Sequence, residues 1–354
     1  MIPPDGGPIV AEDVAGLLAR TAPLWPALAG ARLFVTGGTG FFGTWLVQAL
    51  VAADAAFDLG MRVTVLSRDP ARFTARFPGL AAAAPLRLIA GDVRDCTFPR
   101  ESFSHVIHAA TEASARLERD APALMEEVCR EGTRRTLEFA AACGARRMLF
   151  TSSGAVYAPA PPGVTHLAET MPTESPPGTA VGAYAAGKRA AEALCGAAAA
   201  AGVPVSIARC FAFVGPRLPL DAHFAIGNFI RDALAGGPIV VRGDGTAVRS
   251  YLYAADLVEW LTTILLRGRP GRAYNVGSDE GLTVADLARR VASVAAGLSP
   301  GRPPADVLVE GRATIASAPE VYLPDCTRAR DELGLRPATP LDDAIRRTMA
   351  AAPG

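Results

Sequence analysis

The sequence predicts an α/β fold, a doubly wound parallel sheet with a smaller C-terminal lobe, from three observations. Short apolar runs alternate with stretches of helical periodicity, the pattern of parallel strands covered on both faces by helices. A glycine-rich turn follows the first apolar run directly. The residues with the most chemical character fall just after the runs, where sheets of this kind bind ligands beyond the carboxyl ends of their strands.

Taken in order, Ile9 to Leu28 alternate apolar and charged positions at roughly helical spacing, and Pro26 ends that run. This predicts an N-terminal helical extension within residues 1–30. Arg32 to Thr36 reads as the first strand, and a helix is expected from Thr44 to Ala53. Further strands are expected at Arg62 to Leu66, Leu86 to Ala90, Val106-Ile107, Met148 to Phe150 and Val205 to Ala208, with helices over Ala123 to Cys143 and Ala183 to Ala201. Pro159 to Pro177, rich in Pro and Gly, reads as a long loop near the site. Beyond Gly215, short strands at Ile239 to Val241 and Ala273 to Val276 alternate with helices around Asp256 to Leu266 and Val284 to Val294. The expected division is a principal domain over 31–214 and a mainly substrate-binding lobe over 215–354, with some exchange of chain between them.

Bulk properties narrow the function. With 35 basic and 35 acidic residues among 354, the chain has no long-range pull toward nucleic acid or an anionic membrane, and neither is expected as a partner. The most apolar late run, Leu257 to Leu266, carries Glu259 and falls short of the ~20 residues that span a bilayer. No basic segment leads into an apolar stretch with a cleavage site, so the expected location is cytoplasmic. The six cysteines are scattered without ligand-like spacing and there are four histidines, so no metal site is expected and the thiols read as reduced core residues.

Thr36-Gly-Gly-Thr-Gly-Phe-Phe-Gly43 places glycines at 37, 40 and 43 between a strand and a helix. Gly37 permits the tight turn, Gly40 lets a pyrophosphate approach the backbone, and Gly43 lets the helix pack on the sheet. The helix N-terminus then offers unpaired N–H groups and positive dipole character to phosphates. A carboxylate at the end of the second strand would bind the ribose hydroxyls of NAD, whereas this chain has Ser67 and Arg68. That pair suits a 2′-phosphate and favours NADP over NAD, the alternative being that Arg68 stacks on adenine or lies in solvent. Asp92 is placed to meet the adenine amine, and Ala109 and Ala110 leave room for backbone to line the dinucleotide.

Tyr184 and Lys188 stand at i,i+4 on one face of an expected helix, and Ser153 follows the preceding strand. A phenol of pKa about 10 is a poor base near neutrality, and lowering it by ~3 pH units requires about 4 kcal/mol of differential interaction. A neighbouring ammonium can supply part of this, while Ser153 donates a hydrogen bond to the reacting oxygen. Tyr184 would then move the hydroxyl proton while hydride passes between the same carbon and a nicotinamide, whose ribose Lys188 can also hold. His108 reads as a packed neighbour of the cofactor loop; His166 and His223 are weaker candidates for touching ligand.

With these residues in place, the chain resembles the extended short-chain dehydrogenases, specifically the NAD-dependent epimerase/dehydratase family. The carriers are TGGTGFFG (36–43), GDVRD (91–95), HAAT (108–111), EGTRRTLEFA (131–140), TSSGAVY (151–157), YAAGK (184–188), RCFAFVGPR (209–217), RGDGTAVRSYLYAADL (242–257) and YNVGS (274–278). The resemblance implies a Rossmann domain, a sugar-nucleotide substrate and a homodimer formed through two helices per subunit. It matches Ser153, Tyr184 and Lys188 to the catalytic trio and Arg249 to an arginine on the substrate diphosphate. Arg242 occupies a nucleobase-stacking position. The motifs extend the cofactor set to Phe41, Phe42, Val93, Thr111 and Phe211, and the substrate set to Glu112, Gly154, Ala212 and Asn228.

Departures from the family decide which reaction is expected. The acidic pair that family 4,6-dehydratases carry after the catalytic residue is Gly154-Ala155 here, a frequent substrate-binding Asn is Ala212, and a C-terminal nucleotide clip is replaced by Ile315 to Pro319. A nucleotide-sugar epimerase working through a transient keto-sugar needs only the trio, a retained cofactor and a roomy pocket, and is the favoured expectation. An NADPH-dependent 4-ketoreductase, or a 4,6-dehydratase recruiting Glu112 or His166, remains the alternative; a non-catalytic NAD(P)-binding sensor would not need the trio.

Overall fold

Alternation along the central strands decides which layer each side chain enters. In the computed structural model, which describes residues 5, 7–111, 115–176, 179–222, 224–298, 301, 303–311 and 320–352, the apolar runs form parallel strands. These are β1 (Arg32–Thr36), β2 (Arg62–Ser67), β3 (Leu86–Ala90), β4 (His105–His108), β5 (Arg147–Ser153) and β6 (Val205–Cys210). Leu33 and Val35 enter one core, whereas Phe34 enters the other, where its ring packs edge-on against Phe103 and Phe139 at 5.3 and 4.7 Å. β4 and β5 alternate in the same way, with Ile107 and Leu149 on one side and Val106, Met148 and Phe150 on the other. Central strands buried on both faces explain why the apolar runs are nearly continuous.

Helices cover both faces. α1 (Gly7–Arg20) and α2 (Phe41–Phe57) lie on the first; α3 (Pro70–Arg76) and α4 (Pro78–Ala81) follow β2. α5 (Ala115–Asp120), α6 (Pro122–Ala142) and α7 (Ala183–Ala200) follow the next strands, and α6 and α7 pack together on the second face. The C-terminal part contributes β7 (Phe213–Val214), α8 (Ala225–Ala235), β8 (Ile239–Val241), β9 (Val248–Arg249), β10 (Leu252–Tyr253) and α9 (Ala254–Arg267). Next come β11 (Ala273–Val276), β12 (Leu282–Thr283), α10 (Val284–Leu298), β13 (Val307–Val309), β14 (Val321–Tyr322), α11 (Thr327–Leu333) and α12 (Leu341–Ala350). The seven-stranded sheet runs β11-β6-β5-β4-β1-β2-β3, all parallel, and its order reverses between β1 and β4. This is the doubly wound Rossmann arrangement, and the reversal opens a crevice at the carboxyl ends of β1 and β4.

Several element expectations shift. The N-terminal helix stops at Arg20 rather than continuing to Leu28; Pro23 disfavours helix in the residue before it, and Trp25–Leu28 forms a separate 3-10 turn. α2 starts at Phe41, three residues before the expected Thr44, because Gly40 rather than a polar side chain is its N-cap. Ala273–Val276, grouped by sequence with the short strands of the lobe, instead pairs with β6 in the main sheet, covering an edge that would otherwise be open. β5 extends to Ser153, which pairs in register with Cys210.

The helix that carries Tyr184 and Lys188 is tied to this frame by one ion pair. Arg209 on β6 donates from Nε and Nη2 to Glu192 on α7 at 3.0 and 2.7 Å, with both side chains nearly buried. Replacing Glu192 by Ala leaves the guanidinium buried without its carboxylate and is expected to destabilise the fold by about 3–5 kcal/mol. Urea unfolding should show a lower midpoint at unchanged slope. A loss below about 1 kcal/mol would mean that the pair does not anchor α7.

Candidate functional site

The glycine turn is built as its residue types require. Gly37 has φ +73°, and a Cβ there would lie 2.3 Å from the Ala109 carbonyl oxygen, so the turn is pressed directly onto the end of β4. Gly43 closes on the same turn from α2, where a Cβ would lie 2.1 Å from the Gly37 carbonyl oxygen. Gly40 caps α2 without a side-chain acceptor, which leaves first-turn N–H groups for a ligand. Phe41 and Phe42 are part of this turn through their backbone; their rings face the core, with Phe42 edge-on to Phe213 at 4.8 Å.

Gly37, Gly40, Ser67, Arg68, Asp92, Val93, Ala109, Ala110 and Thr111 line one cavity of about 600 Å³. Its size suits a ligand of cofactor class, and its bare helix N-terminus suits a pyrophosphate. Ser67 is buried; its hydroxyl accepts the Asp69 N–H at 3.2 Å and pairs with Thr39 at 3.4 Å. Asp69 also lines the cavity, and one of its carboxylate oxygens accepts the Arg72 N–H as the N-cap of α3. Asp92 is gripped by Arg94, which donates from Nε at 3.0 Å, Nη2 at 3.1 Å and its backbone N–H at 2.9 Å. The guanidinium holds the Asp92 carboxyl below its usual range, and an adenine amine would share an oxygen with it. Sequence reasoning missed Arg94, and also Arg72 and Arg76, which stand one turn apart on α3 and line the same cavity.

Ser153 ends β5, and its hydroxyl accepts the Ala155 N–H of the following turn at 3.2 Å. Tyr184 lies in the first turn of α7 and is half-buried, with Lys188 one turn on and 2% exposed. The Lys188 ammonium donates to the Thr151 carbonyl at 2.7 Å and the Thr111 hydroxyl at 2.9 Å. It lies 4.9 Å from the Phe150 ring centre and 5.8 Å from that of Tyr184. Among the described residues the ammonium lies near the Tyr184 ring without a hydrogen bond to it. Burial raises the Tyr184 pKa, offset in part by the neighbouring Ser153 hydroxyl, and burial lowers that of Lys188. His108 is packed beneath the loop between Thr36 at 2.7 Å and Thr133 at 3.1 Å, and burial takes it down to about 3, which keeps it neutral.

The substrate set is spread more widely. A Cβ on Gly154 would lie 2.7 Å from the Phe211 ring and 2.8 Å from the Tyr322 hydroxyl, so no side chain fits there without displacing one of them. Phe211 belongs to this aromatic wall, 4.7 Å from the Tyr322 ring, and does not line the dinucleotide cavity. Ala212 contributes a backbone carbonyl, which accepts the Leu252 N–H at 3.0 Å. Asn228, on α8, accepts from Arg231 at 3.1 Å, and Arg242 is exposed in the turn after β8. Arg249 donates from Nη2 to the exposed Glu320 carboxylate at 2.8 Å and from Nη1 to the Glu320 carbonyl at 3.1 Å, so a diphosphate would compete with Glu320 for it. His166 reaches the Asp279 carbonyl at 3.2 Å. Glu112, His223 and Ile315 to Pro319 lie outside the described residues.

Tyr322 is a further site residue that sequence reasoning missed. Its hydroxyl stands 3.4 Å from that of Ser153, across 169 residues of chain. Nothing in Val321-Tyr322-Leu323-Pro324 has a motif's spacing, so only the fold brings it there.

Comparison with known proteins agrees with this geometry. The sequence model of the NAD dependent epimerase/dehydratase family matches residues 33–277. UDP-glucuronic acid decarboxylase 1 of Arabidopsis thaliana is 30% identical over 326 residues, which is 90% of this chain and 69% of that protein. The crystal structure of DesIV, a dTDP-glucose 4,6-dehydratase of Streptomyces venezuelae with NAD bound, superposes with a TM-score of 0.74 at 27% identity, covering 90% of this chain and 96% of its own. The UDP-glucose 4-epimerase of Thermotoga maritima has the same fold, with a TM-score of 0.72 at 22% identity over 90% of this chain and 98% of its own.

The Gly37 turn gives a direct test of the cradle. A Gly37→Ala chain must leave its positive φ or push β4 away, and is expected to lose more than about 1 kcal/mol of stability. Its affinity for NAD and NADP should fall at least about tenfold, read by calorimetric titration. Unchanged affinity would place the dinucleotide elsewhere.

Proposed function

The chain belongs to the NAD-dependent epimerase/dehydratase family, and from that premise we propose that it is a nucleotide-sugar epimerase acting through a transient keto-sugar. The observation that carries this reading is the convergence of Ser153, Tyr184 and Lys188 beside the dinucleotide cradle, under a wall formed by Phe211 and Tyr322. Tyr184 takes the proton of a sugar hydroxyl, Ser153 hydrogen-bonds the oxygen that becomes a carbonyl, and Lys188 provides the positive field that favours the phenolate. A nicotinamide cofactor held by the glycine turn and Lys188 would supply the reversible hydride acceptor for that carbon, which the proposed turn of the ketone requires. Uncharged Gly154 and Ala155 support this reading over a dehydratase, which needs an acid and a base for elimination.

Cofactor choice supports a second reading at the adenosine end. Arg68, Arg72 and Arg76 line the cavity around Ser67, while Asp69 is engaged as a helix cap. This favours NADP over NAD, and with NADPH as donor the same trio would serve a 4-ketoreductase. The reading includes a cytoplasmic homodimer formed through two helices per subunit, as the family resemblance implies; among the described residues no helix is long and apolar enough to cross a membrane.

Denaturing the purified chain and weighing what it releases tests both readings. Bound oxidised cofactor with a sugar nucleotide supports an internal redox cycle. An isobaric product supports epimerisation, and one lighter by water or by CO2 replaces it with dehydration or decarboxylation. An empty chain that consumes NADPH with a keto-sugar nucleotide is a reductase. Tyr184→Phe should lower turnover by about 10²–10⁴ with cofactor binding intact; unchanged turnover would remove Tyr184 as the base. Arg68→Ala should weaken NADP about tenfold and leave NAD nearly unaffected, and equal effects on the two would end the 2′-phosphate assignment.

A further inference from the structure

A serine hydroxyl has one hydrogen to give and two lone pairs to fill. For Ser153 the Ala155 N–H fills one lone pair, the Tyr322 hydroxyl of β14 stands 3.4 Å away, and Tyr184 of α7 is a further neighbour. If Ser153 gave its hydrogen to Tyr322, none would remain for Tyr184 or for the reacting oxygen. If Tyr322 donates instead, both lone pairs are filled and the serine hydrogen is free to point at the chemistry.

We propose that Tyr322 is a positioning residue of the reaction centre, donating its phenolic hydrogen to Ser153 Oγ and so aiming the Ser153 hydrogen at Tyr184 and the reacting oxygen. The inference rests on the roles given above to Ser153 and Tyr184. Three contacts hold Tyr322 for this task. Its ring packs on Phe211 at 4.7 Å, the Arg249 guanidinium carbon lies 5.6 Å from its centre, and the absent side chain of Gly154 leaves room for its hydroxyl. β14 pairs in parallel with β9, which sets Tyr322 opposite Arg249. Burial pushes the Tyr322 phenol up to about 12, so it keeps its proton near neutrality and has it available to donate. The 3.4 Å separation is long for a pair of hydroxyls, as catalytic hydrogen bonds often are before a reacting group fills the site.

The effect falls on the ionisation of Tyr184. A hydrogen aimed at its oxygen favours the phenolate, and chains of hydrogen bonds strengthen one another. The other groups that face Tyr184 are Lys188 on its own helix, Glu118 on α5, which accepts the Tyr184 backbone N–H at 3.4 Å, Cys129 on α6 and Cys210 on β6. Burial raises both thiols, Cys210 to about 12, so both are uncharged near neutrality. Tyr322 itself faces Arg249 and Cys210.

Phenolate absorbance of the full chain, titrated with NAD⁺ and separately with NADP⁺ present, tests this without knowledge of the substrate. The Tyr184 band is taken as the difference from Tyr184→Phe in the same background. Tyr322→Phe keeps the ring on Phe211 and removes only the donor. It should raise the Tyr184 midpoint by roughly half to one pH unit. Ser153→Ala should raise it too, and adding Tyr322→Phe to Ser153→Ala should raise it no further. An unmoved midpoint in Tyr322→Phe overturns the proposal, and so does a full shift that persists without Ser153, because Tyr322 would then act directly. A wild-type chain with no Tyr184 band of its own overturns the Tyr184 base and the Tyr322 role together, which separates the two failures.

Discussion

Burying a lysine ammonium costs several kcal/mol unless nearby groups replace its water. Lys188 is 2% exposed, and the frame around it is organised to meet that cost. The Thr151 carbonyl near the end of β5, the Thr111 hydroxyl after β4 and the face of Phe150 each take one side of the charge. These three groups can converge only if β4 and β5 end in register and α7 lies across them. The register is set by the pairing of His108 with Phe150, and α7 is held by the Arg209–Glu192 pair. The position of Tyr184 follows from this arrangement, since the tyrosine stands one turn from the lysine these groups hold.

At Gly154 the constraint is steric. Phe211 and Tyr322 occupy the space a side chain there would need, so an acidic residue would cost an aromatic contact as well as the burial of a charge. A ketone made in such a place has no carboxylate at 154 or 155 to draw off a second proton or protonate a leaving hydroxyl. This is the local support for the proposed return of hydrogen to the same carbon.

Legibility in the sequence followed the range of the interactions. The glycine turn and the Tyr184–Lys188 pair depend on neighbours within a few residues, so spacing alone identified them. The strands were legible because central strands are buried on both faces, whereas the end of α1 turned on Pro23 rather than Pro26. What the sequence hid were contacts between distant segments. The bond from Thr111 to Lys188, the grip of Arg94 on Asp92 within the cavity and the arrival of Tyr322 at Ser153 have no periodicity to betray them. The placing of Ala273–Val276 in the main sheet was hidden for a related reason. A four-residue strand has the same pattern in a lobe as on a sheet edge, and only the open side of β6 decides between them.

The short strand β14 joins two ends of the site that sequence motifs treat separately. Glu320 precedes it and Tyr322 ends it, and residues two apart on an extended chain project to the same side. Arg249, opposite Tyr322 on β9, touches both, with its guanidinium paired to Glu320 and lying near the Tyr322 ring. An anionic ligand that draws Arg249 from Glu320 therefore acts on the same stretch of backbone that holds Tyr322 beside Ser153. The Glu320 carboxylate is 74% exposed, so water can replace its partner at little cost, in contrast to the buried groups around Lys188. Exchange at Arg249 is thus inexpensive, while Lys188 is held firmly, and the three residues Glu320 to Tyr322 run from the Arg249 partner to the neighbour of Ser153.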